Sequence, residues 1–426
     1  MNNRIAFRTL LPAIALLATA CSDVTDPTSP KVQPNLTGEA PDELGMFHRF
    51  VSMGTSISMG WQSEGVIGAG QRQSWTAQLA ELAGRQQTLP LIAAPGCRSP
   101  FAAPLASGLR LSGESAAINP GAASCAGNEA GVVLPAQNVA VAAANTIDAL
   151  TATPESKQSD ASYRLLYPHV LPSQTTQLQA ALNQSPKFIS VEFGGNEVLN
   201  SRSGIAIPGA TLVPVATWAL QYTQLADAVS GAVKRGIMVG LVNDVASFPS
   251  FRRGSEIWAD RATMLAAFNI EVLPDCDASA NLIFVPVRIP TAVARGLGKR
   301  QVGAGTEVFS CTGGNAVTQD FVLTPGEVAI VNTQLAAMNA HISATAERVG
   351  YAYVALEALY GRSDVKPTYS TVALMTTATP YGFAVSLDGI HPNAAGHSIL
   401  AAAAARAINA RYGTNIPETP AQLALR

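Results

Sequence analysis

Apolar residues along this chain follow two rhythms. Short apolar runs at Phe50–Met53, Leu89–Ala94, Phe188–Phe193, Ile237–Val242 and Tyr351–Leu356, most of them ending at Gly, Pro or a polar turn, predict five strands. Between and after them the spacing becomes helical. Trp75–Ala83 places Leu79 and Leu82 on one face, and Val215–Arg235 carries a stripe of Trp218, Tyr222, Leu225, Val229 and Val233 that Gly236 ends. Thr324-Pro325-Gly326-Glu327 has the form of a capping box with Pro at the first helical position. It opens a helix with Val331, Leu335, Met338 and Ile342 on one side and Gly350 at its close. A final helix, Ala394–Tyr412, is capped by Asn393. Alternation of strand and helix predicts an α/β fold, a three-layer α/β/α sandwich around a parallel sheet, with ligands at the carboxyl ends of the strands. Residues 97–163, 248–319 and 360–386 break the rhythm and are rich in Gly, Ala, Ser, Thr and Pro; they read as long loop insertions around the mouth of the site rather than as separate domains.

The N-terminus changes the compartment. Arg4 and Arg8 precede an apolar run, Leu10–Ala20, too short to span a bilayer and ending in small residues before Cys21, so residues 1–20 read as a secretion signal. Leu17-Ala18-Thr19-Ala20-Cys21 resembles a bacterial lipobox, with the leucine one place further from the cysteine than is commonest. The expectation is an exported lipoprotein anchored through Cys21; Ser22 after it resembles an outer-membrane address. The alternative is an ordinary cleaved signal peptide with an incidental cysteine. Residues 21–45 are too poor in apolar side chains to repay ordering and read as a tether, and residues 46–426 as a single domain.

Charge narrows the partners. The 27 basic and 29 acidic residues leave a net charge of −2 with no basic stripe, which argues against nucleic acid, and no second apolar stretch predicts a membrane span. Four cysteines remain after Cys21, namely Cys97, Cys125, Cys276 and Cys311. An even number in an exported chain points to disulfides. Of the three connectivities, the sequential one closes the shortest loops; zinc ranks lower because no pair has structural-site spacing.

Acyl transfer at neutral pH needs a nucleophile, a base, a group that orients the base, and donors for the oxyanion. Ser56 lies in Gly54-Thr55-Ser56-Ile57-Ser58-Met59-Gly60 directly after the first strand, without the Gly-x-Ser-x-Gly spacing of an α/β-hydrolase elbow. Asp388-Gly389-Ile390-His391 sets a carboxylate three residues before an imidazole in one turn. Asp388 is placed to orient one ring nitrogen of His391 while the other takes the Ser56 proton. Each motif taken singly is also an ordinary strand-ending turn; together, in order and at strand ends or helix starts, they favour a hydrolase site. His48, His169, His341 and His397 have no neighbouring carboxylate or Gly-flanked nucleophile. Asn243-Asp244 reads first as a polar turn, and otherwise as part of a substrate wall.

Gly54-Thr55-Ser56-Ile57, Pro95-Gly96, Gly194-Gly195-Asn196-Glu197 and Asp388-Gly389-Ile390-His391 resemble, in order, the four blocks of the SGNH hydrolase, or GDSL esterase/lipase, superfamily. The resemblance spans roughly residues 46–413. It implies a flavodoxin-like fold with a five-stranded parallel sheet, and a serine esterase or lipase that hydrolyses carboxylic esters through an acyl-enzyme without a cofactor. By the same resemblance the catalytic residues are Ser56, Asp388 and His391, and the oxyanion hole is the Ser56 amide, the Gly96 amide and the Asn196 side chain. Two positions depart from the family: Thr55 stands where Asp usually precedes the serine, and Glu197 where Asp usually follows the asparagine. The substrate stays open between lipid esters, with Val372, Leu374 and Met375 as an acyl wall, and acetylated polysaccharide. The rival from another class is a catalytically silent lipoprotein that binds glycans or lipids. Oligomeric state is not set by the sequence.

Overall fold

The structure is a computed structural model that describes residues 42–117, 122–159, 165–313 and 319–423. The segment read as a secretion signal, Cys21 and all but the end of the segment read as a tether lie outside the described residues. Among the described residues, no helix is long and apolar enough to cross a membrane.

Nine strands form three sheets among the described residues: β1 Phe50–Met53, β2 Phe188–Glu192, β3 Gly236–Gly240, β4 Phe251–Arg253, β5 Ile270–Val272, β6 Leu282–Phe284, β7 Glu307–Phe309, β8 Val322–Leu323 and β9 Ala352–Ala355. The main sheet has the order β1-β2-β3-β9 and is parallel throughout. Every residue of β2 and β3 is buried, as the unbroken apolar runs require of strands covered on both faces. The Ala394–Tyr412 helix packs with Trp75–Leu82 and β9, while Pro325–Val349 packs with Val215–Ala232 and β3. These two helical layers enclose the sheet. The capping box at Thr324 forms as the sequence predicts, with Glu327 N–H on Thr324 Oγ1 at 3.3 Å and Thr324 N–H on Glu327 Oε2 at 2.9 Å. Asn393 Oδ1 caps the last helix by accepting from the Ala395 and Gly396 amides at 3.0 and 3.2 Å.

The fifth strand differs from expectation. Leu89–Ala94 does not join the main sheet, which has four strands. Pro90 supplies no N–H, the Ile92 amide donates to Gln71 Oε1 at 2.7 Å, and the Ile92 carbonyl accepts from Gly68 at 2.7 Å, so the backbone of this run is spent on neighbouring loops. Residues 137–141 occupy the free edge of β1 instead. Ser52 N–H donates to Gln137 O at 2.9 Å, Val139 N–H to Ser52 O at 2.9 Å and Val141 N–H to Gly54 O at 3.1 Å, and Ser52 bridges Asn138 in parallel.

The 248–319 insertion is not a loop. It holds the antiparallel β4-β6-β8 sheet, completed by Val322–Leu323, the parallel β5-β7 pair, and helices Gly254–Ala259, Arg261–Phe268 and Val285–Val302. Pro286 in the first turn and Pro290 within the last of these helices hid it from a pattern reading. The sequential disulfides form: Cys97–Cys125 ties the first insertion and Cys276–Cys311 the second.

Candidate active site

Ser56 sits where β1 ends and a short helix, Ser56–Met59, begins. The turn is held from beneath by Glu192, the last residue of β2. Glu192 Oε2 accepts from the amides of Thr55 and Ser58 at 2.9 and 3.2 Å, and Oε1 accepts from Thr55 Oγ1 at 2.8 Å. Burial pushes this carboxyl upward, and the Thr55 and Ser58 donors pull it back only in part. On the other side of the turn, the Gly54 amide donates to Gln177 Oε1 at 2.8 Å. Glu192 and Gln177 were not singled out by the sequence, since a polar residue closing a strand and another opening a helix carry no distinguishing pattern.

His391 and Asp388 come from the turn before the last helix. Ser386 N–H donates to His391 O at 2.9 Å and Gly389 N–H to Ser386 O at 3.0 Å, which folds the turn back on itself. Gly389 is required there: its φ is +72°, and a Cβ would meet Ser250 Cβ at 2.8 Å and the Tyr381 ring at 2.9 Å. His391 Nε2 lies 2.9 Å from Ser56 Oγ, and His391 Nδ1 lies 2.9 Å from Asp388 Oδ2. Asp388 is also braced by backbone donors, from Ile390 and His391 onto Oδ1 at 2.9 and 2.8 Å and from Glu64 onto Oδ2 at 2.8 Å. Burial alone would raise the Asp388 carboxyl; the imidazole and these donors overcome it and hold it at about 2. The Glu64 contact joins residues 324 positions apart in the chain, which no local motif announces.

Asn196, which opens the short helix Asn196–Leu199 just after β2, faces the same space and donates through Nδ2 to Ala144 O at 2.8 Å. The Ser56 amide donates to no acceptor among the described residues. Gly96 is not brought into this group. Its amide closes a turn onto Ala93 O at 2.9 Å, and the carbonyl of Val66 and the ring of Pro100 crowd its α-carbon. The Pro95-Gly96 pair therefore marks a turn, and the oxyanion role read for Gly96 is corrected. Beyond the segment that edges β1, Ala143 takes a φ of +62°, which is uncommon for a residue with a Cβ. Its amide has no acceptor among the described residues, and its neighbour Ala144 is the residue held by Asn196. The run Val139 to Ala144 contains no Gly or turn former, so nothing in it marked this position.

The remaining candidates have structural partners. His48 pairs with Arg85 at 3.2 Å, His169 with Asn128 at 3.0 Å and His341 with Thr223 at 3.0 Å. His397 Nδ1 accepts from the Trp75 amide at 3.2 Å. Asp244 Oδ1 accepts from Ala246 N–H at 2.9 Å and from Asn332 at 2.9 Å, which makes Asn243-Asp244 a turn. Val372, Leu374 and Met375 belong to the Thr371–Thr376 helix and do not face the cavity beside Ser56, so the acyl wall read from them is corrected.

A serine hydroxyl, a ring nitrogen and a buried carboxylate in hydrogen-bonded series are the parts that nucleophilic acyl transfer needs. The chain is similar to an acetylxylan esterase from Geobacillus stearothermophilus, with 13% identity over 86% of this chain and 94% of that one and a TM-score of 0.34. It is similar to an extracellular lipase from Streptomyces rimosus, with 14% identity over 83% and 98% and a TM-score of 0.30. A third similar structure is LAE5, an α/β hydrolase enzyme from the metagenome of Lake Arreo in Spain, with 12% identity over 85% and 94% and a TM-score of 0.34. No curated protein sequence matches. The sequence does match the GDSL-like lipase/acylhydrolase family from residue 50 to residue 404, a stretch that begins with β1 and takes in Ser56, Asn196, Asp388 and His391, and the chain therefore belongs to that family.

Proposed function

We propose that this carboxylic ester hydrolase works as a serine esterase through an acyl-enzyme. The observation that carries the reading is the unbroken series Ser56 Oγ, His391 Nε2, His391 Nδ1 and Asp388 Oδ2, with 2.9 Å at each of its two hydrogen bonds. His391 takes the Ser56 proton as the hydroxyl attacks the ester carbonyl. The tetrahedral oxyanion is held by the Ser56 amide, the Asn196 side chain and the Ala143 amide. His391 then protonates the departing alcohol, and repeats the proton transfer with water to release the acid. Asp388, low in pKa and fixed by three backbone donors, stays ionised throughout and keeps Nδ1 protonated, so that Nε2 is free to act as base.

Ser56→Ala and His391→Ala should each lower turnover of a short-chain aryl ester by at least about a thousandfold while leaving the urea midpoint unchanged. A fluorophosphonate should label the parent at Ser56 and leave both variants unlabelled. Undiminished turnover in either variant would remove the assignment. The silent-binder alternative requires an unlabelled parent.

We place the enzyme at the cell envelope, exported and tethered by a lipid on Cys21. The motive is the charged and apolar signal ahead of Cys21, together with two disulfides, which persist in oxidising compartments.

A further inference from the structure

Beside Ser56 lies a cavity of about 80 Å³ that is open to solvent at its mouth. Its wall is apolar and comes from widely separated segments. Leu241, Val242 and Val245 follow β3, Val331 and Leu335 project from the Pro325–Val349 helix, and Phe251 comes from the second insertion. Val331 is fully buried and Leu335 is 2% exposed, so this part of the wall belongs to the interior.

Thr55, Glu192 and Ser201 on the wall are already hydrogen-bonded, and Arg202 is only loosely paired. Thr55 and Glu192 bind each other, the Ser201 hydroxyl donates to Val198 O at 2.7 Å, and the Arg202 guanidinium lies 3.7 Å from Glu64. A sugar ring buried against this wall would leave most of its hydroxyls unpaired, at a cost that apolar contact does not recover. An alkyl chain has no such cost.

Resting on the serine-esterase reading, we propose that this cavity is the acyl pocket and that the enzyme selects esters of medium-length aliphatic acids over acetate. The acyl group, rather than the alcohol, fits this apolar space, because it stays bonded to Ser56 through the second step. The alcohol must leave past His391 and be replaced there by water. Each fully buried methylene is worth about fourfold in kcat/KM. Partial burial lowers that figure, and a hexanoate should still exceed an acetate by at least about tenfold.

The test uses p-nitrophenyl esters of graded acyl length on the full chain, beside a second series of acetates with graded alkyl alcohols. The parent should show kcat/KM rising from acetate to hexanoate and a flat response to alcohol length. Val331→Phe and Leu335→Phe, which fill the cavity, should abolish the gain with chain length, read as the hexanoate-to-acetate ratio of kcat/KM within each variant. A parent that prefers acetate, a steep response to the alcohol instead, or filled variants that retain the gain would each overturn the proposal. If a filled variant fails to fold, Val331→Ala should extend the preferred chain, and an unchanged optimum there counts against the pocket. No turnover of any ester and no fluorophosphonate labelling of Ser56 would overturn the esterase reading itself, a result distinct from acetate preference by a labelled enzyme.

Discussion

Glu192 offers the sharpest test of how the nucleophile is held. Glu192→Ala removes the acceptor of two backbone amides and one hydroxyl, those of Thr55 and Ser58, in a site where Glu192 is only 2% exposed. Each buried donor left unpaired costs about 1–3 kcal/mol, and because Glu192 also borders the cavity, water can reach part of the gap. The net loss should be about 2–4 kcal/mol. The turn would then relax, and displacement of Ser56 by a fraction of an ångström should lower kcat by about ten- to a hundredfold. Glu192→Gln separates shape from charge. Its amide oxygen can take the place of Oε2 beneath the Thr55 and Ser58 amides, and its NH2 can donate to Thr55 Oγ1, so every group keeps a partner. Since burial already pushes the Glu192 carboxyl upward, loss of the charge should matter little, and Gln should stay within about 1 kcal/mol and threefold of the parent. Restoring the family's usual acid with Thr55→Asp is the reciprocal case. It sets two carboxyls against each other where one cannot ionise beside the other, and Glu192→Gln in the same chain should relieve it. Urea unfolding and steady-state turnover of an aryl ester read both quantities. Parent-like stability and kcat in Glu192→Ala, or equal damage from Gln and Ala, would refute the argument.

The remaining predictions concern acid and the anchor. Burial first, and His391 nearby second, push His397 down from 6.5 to about 3, so the folded protein leaves it neutral where the unfolded chain takes up a proton. Stability should therefore fall as pH drops through that window, by up to about 1.4 kcal/mol per pH unit from this group, and His397→Gln should flatten the slope between pH 6 and 4. Parallel urea-midpoint profiles for parent and variant would count against it. Cys21→Ser should move the protein from the membrane to the soluble fraction and abolish incorporation of labelled palmitate; an unchanged distribution would count against a lipid anchor on Cys21.

Ser56, Asn196, Asp388 and His391 were legible because each stands within a few residues of a strand end or a helix cap, and turn chemistry is written in immediate neighbours. The strands β2 and β3 were legible because burial on both faces leaves an unbroken apolar run. The fifth strand position was misread for the converse reason. Leu89–Ala94 is apolar but its backbone is claimed by Gly68, Gln71 and Glu129, whereas the 137–141 segment, Gln-Asn-Val-Ala-Val, pairs with β1 through backbone bonds that leave little trace in side-chain pattern. Gly96 failed likewise: Pro-Gly specifies a turn, and the turn consumed the amide on which the oxyanion reading depended.

What completes the site is long-range, and that limits any reading by motif. The Glu64 amide reaches Asp388 across 324 positions and Glu192 reaches Thr55 across 137. The cavity is the extreme case. Val331 and Leu335 announce themselves at helical spacing as residues to be buried, and the same spacing would describe contact with another helix. Only the fold shows that they are buried against space that opens on Ser56, with Leu241 and Val242 from another strand end and Phe251 from an insertion as the rest of the wall. Periodicity encodes that a face is covered, and leaves what covers it to tertiary packing. Substrate choice, on this reasoning, is carried by residues whose sequence signal is indistinguishable from that of the core, and substitutions among them should change specificity while leaving the signature residues untouched.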